Sequence, residues 1–311
     1  MHKFYVCCEN FHFNVVSLHN QRKTRLEKII FVEDGHRYMY KDSVLNSVTT
    51  EVGKYSETFN SMYQSRASAY KEILGEKEYL RYRKEIFGFN YRPDESILFP
   101  LFDEICGLEE VEDVQNKFLE KWRMSGVNGT IFHKDRENES YKRGYEINPF
   151  TGKSFDVRVL DKQFDNESWG LNLFSIPDGY YSEFIVFDNL SPLEKTLCGT
   201  IDRMWVETDY STGIRYTDTS DYKTNSDPPK NSKYNKMYPP LNHLWANKIN
   251  DYNLQASLYQ NLLSTHGFTP RRSSFEHFTD YDVTQVIEYP LTLLKDEAQI
   301  ILDNYRKKVL N

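Results

Sequence analysis

Hydrophobic positions along the chain follow two periods, helical in the first half and alternating in the second. Residues 29–40 (IIFVEDGHRYMY) place apolar runs on either side of Asp34-Gly35, a turn pair that predicts two short strands. Ser47 precedes a tract over about 48–87 that predicts a long helix, with Ser and Thr residues able to cap its start. Pro93 and Pro100 punctuate a break. Val111, Val114, Phe118, Leu119 and Trp122 lie near helical spacing and predict a second helix over about 108–125. Ser125, Gly126, Asn128 and Gly129 predict a turn, after which Thr130 can cap a helix over about 131–142. Residues 146–178, rich in Asn, Asp, Gly and Pro, predict loops with short strands.

From residue 180 the period falls to two. YYSEFIVFD (180–188), TLCGTIDRMWVE (196–207) and IRYTDTSDYKTN (214–225) predict three consecutive strands joined as antiparallel hairpins. Residues 226–243, with Pro228, Pro229, Pro239 and Pro240, predict a long loop. A helix over about 244–265, strands over 272–279 and 283–289, and an amphipathic helix over about 292–309 complete the chain. The order helix, three strands, helix, strand predicts a mixed α/β core.

Composition narrows the class. Aromatic residues make up 15% of 311, which argues against global disorder. Cys7, Cys8, Cys106 and Cys198 form no CxxC pair, so a disulfide scaffold or a cysteine-built zinc site is not expected. No apolar run reaches the length of a membrane span, and Glu9, Asn10, His12 and Asn14 interrupt the N-terminal apolar stretch. The expectation is a soluble cytoplasmic protein with no membrane partner. The net charge of -7 argues at first against nucleic acid. Its distribution reverses that inference. Residues 94–113 hold eight acids and no base, so the rest of the chain is close to neutral. Residues 1–28 are locally basic, and residues 222–248 hold Lys223, Lys230, Lys233, Lys236 and Lys248 against Asp227 alone. A phosphate-bearing ligand is therefore compatible with the sequence, and residues 94–113 are expected to lie away from a bound strand.

Candidate chemistry concentrates in four places. On strand 214–225, Asp221 and Lys223 project to one face. On the preceding strand, Asp202 interrupts an apolar run (Ile201, Met204, Val206) and comes close to Asp221 if the strands pair. Two such carboxylates need a cation or a shared proton, and hard oxygen ligands suit Mg²⁺ or Mn²⁺. The alternative is a surface Asp202 paired with a base. Tyr252, Gln255 and Tyr259 stand at i, i+3 and i+7 on one polar-aromatic helix face, separate from an apolar face of Leu254, Leu258 and Leu262. His133 and Glu137 stand at i, i+4, a spacing that serves a metal ligand pair or an ordinary helix surface.

The set GTIxH…E (129–137), SEF (182–184), GTID (199–202), DYK (221–223) and QxxxY (255–259) resembles the PD-(D/E)XK nuclease superfamily, most nearly its RecB-like and phage exonuclease branch. The resemblance covers about residues 120–290, and SVTTEVGKY (47–55) adds a weaker likeness to phage-encoded members. It implies a restriction-endonuclease-like α-β-β-β-α-β core over 121–311, linked to a mostly helical N-terminal region over 1–120 in one compact unit. It implies a metal-dependent deoxyribonuclease, most nearly an exonuclease in phage or bacterial DNA recombination, repair or processing. DNA, single-stranded or with a free end, would be the partner, alongside a recombination or replication protein. Asp202, Asp221, the Tyr222 carbonyl and His133 would ligate Mg²⁺, with Mn²⁺ as a substitute. Lys223 would orient or deprotonate the attacking water, Gln255 and Tyr259 would hold Lys223 and the strand, and Glu137 and Glu183 would support the site. No Cys follows Cys198, so the iron–sulfur cluster of one subset is not expected. Asp218, three residues before Asp221, could compete as a ligand unless strand parity turns it away. The alternatives are a non-catalytic DNA-binding protein on the same fold, a structure-specific endonuclease, and a different α/β metalloenzyme with an enclosed pocket.

Overall fold

Strands β1 (Ile29–Val32), β2 (Arg37–Tyr40) and β3 (Ser43–Ser47) form an antiparallel meander at one edge of a single eight-stranded sheet. The structure is a computed structural model and describes residues 29–32, 37–88, 95–158, 172–225, 228–229, 231–233 and 235–310. The basic N-terminal segment 1–28 lies outside the described residues. β3 is absent from the sequence reading. It is short, and its apolar alternation amounts to Val44 and Leu45.

Four helices follow: α1 (Val48–Gly53), α2 (Ser61–Leu74), α3 (Glu76–Phe87) and α4 (Glu95–Cys106). Ser47 caps α1, its hydroxyl accepting from the Thr50 N–H at 3.1 Å. The tract read as one helix over 48–87 is three. Asn60 caps α2 through the Tyr63 N–H, and Gly75 at φ +80° separates α2 from α3. Pro100 lies inside α4 instead of marking a break.

Helix α5 (Leu108–Arg143) runs unbroken for 36 residues, about 54 Å at 1.5 Å per residue. Two helices with a turn over 125–129 were expected. Gly126 and Gly129 cost about 1 kcal/mol each relative to Ala, which the packing of the flanking turns outweighs. Thr130 does not cap, because its hydroxyl donates back to the Gly126 carbonyl at 3.2 Å. The expected division at residue 120 falls inside this helix. The N-terminal strands join the main sheet through β3, and the aromatic cluster of α2–α4 packs on Val111 and Val114 of α5.

After the small pair β4 (Tyr145–Ile147) and β5 (Ser154–Asp156) come β6 (Gly179–Phe187), β7 (Leu197–Asp209) and β8 (Ile214–Lys223), then α6 (Lys248–Thr265), β9 (Thr269–Phe278), β10 (Val286–Pro290) and α7 (Lys295–Leu310). The three hairpin strands fall where alternation places them. β7 pairs antiparallel with both β6 and β8, and β9 pairs parallel with β8. Parallel pairing requires a crossover, which α6 supplies. The molecule is thus a mixed α/β structure with a central mixed sheet flanked by helices. Leu254, Leu258 and Leu262 of α6 are fully buried in the main core beside Phe184, Ile201 and Met204. Among the described residues no helix is long and apolar enough to cross a membrane.

Candidate metal centre

The β7–β8 ladder pairs Arg203 with Ser220, so the next step sets Asp202 beside Asp221. Asp202 lies within the buried run of β7 and is 5% exposed. The Tyr222 N–H donates to Asp202 Oδ2 at 2.7 Å, fixing that carboxylate against the start of DYK. Period two puts Lys223 on the face of Asp221, to which it is hydrogen-bonded. Asp218 is on the opposite face, fully buried, and engaged by Asn148 (2.9 Å) and Arg271 (2.6 Å). It does not compete for the site.

Helix α5 brings His133 to the same place. Its Nδ1 is 3.5 Å from Asp202 Oδ2 and 3.5 Å from Glu183 Oε1. One donor atom each from His133, Glu183 and Asp202 lies within 4.8 Å of the others. Opposite ligands of an ion held at about 2.1 Å are about 4.2 Å apart, so a small side-chain contraction closes the set on one ion. Two observations bear on what this cluster could hold. Glu183 Oε1 is buried and, beyond the His133 Nδ1 contact at 3.5 Å, has no hydrogen-bond partner among the described residues. Glu183 also sits in the middle of β6 with φ +51°, a left-handed conformation that costs a non-glycine residue on the order of 1–3 kcal/mol. The backbone is bent to aim a carboxylate at His133 and Asp202.

The charges respond to this crowding. Burial works against a charged His133, yet the Asp202 and Glu183 carboxylates raise it to about 11, so a proton sits where a cation would. Burial also opposes ionised Asp202, but the imidazolium holds it below the usual carboxylate range. Asp221 moves the other way. Burial first, and then the Asp202 charge, push it up to about 7 despite Lys223. Burial likewise opposes the Lys223 charge, and Asp221 and Asp202 override it, so Lys223 is raised and remains an ammonium.

Not every expected residue joins the cluster. Asp221, expected as a ligand, is committed to Lys223 and stands outside the three-residue set. Tyr222 reaches the site through its backbone, and its ring is buried against Phe132 and Phe278. Glu137 bonds Lys134 (2.6 Å) and Tyr141 (3.0 Å), one helical turn from His133 and outside the set. Gln255 donates to the Tyr259 hydroxyl at 2.9 Å, and both line a narrow space with Asp221 and Tyr252. The Tyr252 ring carries the Lys223 ammonium at 4.7 Å. Sequence reasoning placed Tyr252 on this face without giving it a role.

No protein-family model matches this chain, and no curated protein matches it significantly. A solved structure described as the crystal structure of SSO0001 is similar over 78% of this chain and 84% of its own, with 13% identity and a TM-score of 0.28. At that score the likeness carries no argument, and the site rests on its own geometry.

Gly199, the first residue of GTID, shows how tightly the QxxxY helix is fitted. A Cβ at Gly199 would lie 2.3 Å from Tyr259 Cε1, and Tyr259 is 6% exposed. A rigid buried ring cannot yield by that much. Gly199→Ala is expected to cost about 1–3 kcal/mol through overpacking and to break the Gln255–Tyr259 bond. Chemical denaturation is the measurement, and a variant as stable as the parent would show that Tyr259 can move freely.

Proposed function

We propose that the protein is a divalent-metal-dependent deoxyribonuclease hydrolysing phosphodiester bonds, most nearly an exonuclease of DNA recombination, repair or processing in a phage or its host's cytoplasm. The supporting observation is the convergence of His133, Glu183 and Asp202 on one point, with the buried Glu183 Oε1 facing His133 and the Asp221–Lys223 pair on the neighbouring strand. Along the chain α5 is followed by the small pair β4–β5 and then by β6, β7, β8, α6 and β9, an order that supports this reading.

Mg²⁺ or Mn²⁺ bound by these three residues would activate a water and neutralise charge developing on the phosphate. The imidazole nitrogen in the set suits Mn²⁺ better than an all-oxygen site would. Lys223, an ammonium held between Asp221 and the Tyr252 ring, would present a fixed positive charge to a phosphate oxygen. Asp221, at about 7, holds or releases a proton near neutral pH next to that ammonium. Tyr222 and the Gln255–Tyr259 pair keep Asp202 and the α6 face in place.

The purified protein is expected to degrade linear DNA with Mg²⁺ or Mn²⁺, to stop on EDTA addition, and to leave closed circles intact. Cleavage that persists in EDTA would remove the metal reading. Cleavage of closed circular single- and double-stranded DNA would replace the exonuclease by an endonuclease.

A further inference from the structure

Between the helical cover and the core lies a cleft of about 1220 Å³, walled by α2 and α3 on one side and by Asn225, Pro228, Pro229, Ser232, Asn235 and the start of α6 on the other. It exceeds the roughly 300–1,000 Å³ of small-molecule sites. Tyr252 belongs to both places: it lines the cleft, and its ring bears Lys223. The cleft therefore opens beside the candidate metal centre.

Its chemistry is that of nucleobases more than of a duplex. Phe59 stands in it with 65% of its surface exposed, braced edge-on by Trp122 at 5.4 Å, and Tyr63 follows on the same wall. An exposed, braced ring with polar neighbours is a stacking platform. The acids of the cleft are engaged. Asn60 donates to Glu95 at 2.6 Å, Asn235 donates to Glu57 at 3.4 Å, and Lys248 pairs with Asp251 at 3.7 Å. Lys71 and Arg83 form no ion pair among the described residues and rest near the Tyr79 ring. Two cations with no carboxylate partner among the described residues suit a few phosphates of a single strand. A duplex, with a charge about every 1.7 Å, would require a longer basic track. Glu95 and Ser96 of the acidic stretch expected to lie away from a bound strand also line this cleft, and Asn60 holds the Glu95 carboxylate.

We propose that this cleft takes the single-stranded end of a DNA substrate, with a base stacked on Phe59 and phosphates on Lys71 and Arg83, an assignment that rests on the nuclease reading above. The test is fluorescence anisotropy on the full chain in EDTA, with labelled oligo-dT and a blunt hairpin duplex as probes. Oligo-dT is expected to bind about 10-fold or more tighter than the hairpin. Phe59→Ala weakens oligo-dT by about 10-fold while Phe59→Trp retains it. The double variant Lys71→Ala/Arg83→Ala lowers the slope of log K against log salt by about 1.4. Equal binding of hairpin and oligo-dT, or wild-type binding by both Phe59→Ala and the double variant, overturns the assignment. Cleavage is scored separately with Mg²⁺ and Mn²⁺. A protein that binds oligo-dT through these residues yet never cuts supports the cleft and removes the nuclease reading.

Discussion

On the proposed nuclease function, Asp202→Asn is expected to lower the single-turnover rate of DNA cleavage by about 10³-fold or more. Asn keeps the volume of the side chain and an oxygen for the Tyr222 N–H, now 2.7 Å from Oδ2, so the loss reads the charge and not the backbone. Removing that charge affects three neighbours. His133 loses the carboxylate that contributes most to its raised pKa, Glu183 is left as the sole anion of the cluster, and Asp221 loses the negative neighbour that helps raise it to about 7. The cluster then binds a divalent cation far more weakly. Mn²⁺ titration followed by calorimetry on the same variant separates lost binding from lost chemistry. A variant that cleaves at the parental rate would move the active site elsewhere. One that binds Mn²⁺ normally but does not cleave would make Asp202 a residue of the chemical step alone.

The hairpin strands were legible because their signals agree. Alternation, turn residues at 208–213 and buried β-formers all point the same way, and the register they imply sets Asp202 beside Asp221. The polar face of α6 was legible for the same reason, since one period placed Tyr252, Gln255 and Tyr259 together. Glu183 was legible only as a supporting acid. Its position depends on a φ of +51° inside a strand, and no residue pattern announces a left-handed glutamate. Helix α5 was misread because Ser125, Gly126, Asn128 and Gly129 are local turn formers. The packing that overrides them is distant in sequence, at Val111 and Val114 in the helical cluster and at Phe132 beside Tyr222 and Phe278. The same helix crosses the expected domain boundary, and so ties the helical cover to the residue that supplies the imidazole. The cleft was not legible at all, because its two walls lie more than a hundred residues apart and neither is unusual alone.

The largest expected effect on stability lies away from the site, at Asp188 and Arg306. Asp188 directly follows β6 and is fully buried. Arg306 of α7 grips both of its oxygens, Nε to Oδ2 at 2.9 Å and Nη2 to Oδ1 at 2.7 Å, and Ser191 and the Leu190 N–H complete the shell. Burial alone would raise Asp188, but these donors, led by Arg306, hold it below the usual carboxylate range. Arg306→Ala leaves a buried unpaired carboxylate and is expected to cost about 3–5 kcal/mol at neutral pH. The sign of the pH dependence follows from the lowered pKa. The wild-type pair stabilises the fold fully above the unfolded value of about 4 and loses that contribution as pH falls through the lower folded value. In Arg306→Ala the unpaired carboxylate picks up its proton at higher pH, which relieves the buried charge. The gap between the two proteins must therefore narrow as pH drops toward 4. Adding Asp188→Asn to Arg306→Ala should recover part of the loss at pH 7, because it removes the stranded charge while keeping an acceptor for Ser191. Urea denaturation of the four proteins at pH 7 and near pH 4 closes the cycle. A single-variant cost below about 1 kcal/mol, or a gap that stays constant with pH, would mean that α7 is held by Tyr305 and its apolar face, and that this ion pair contributes little.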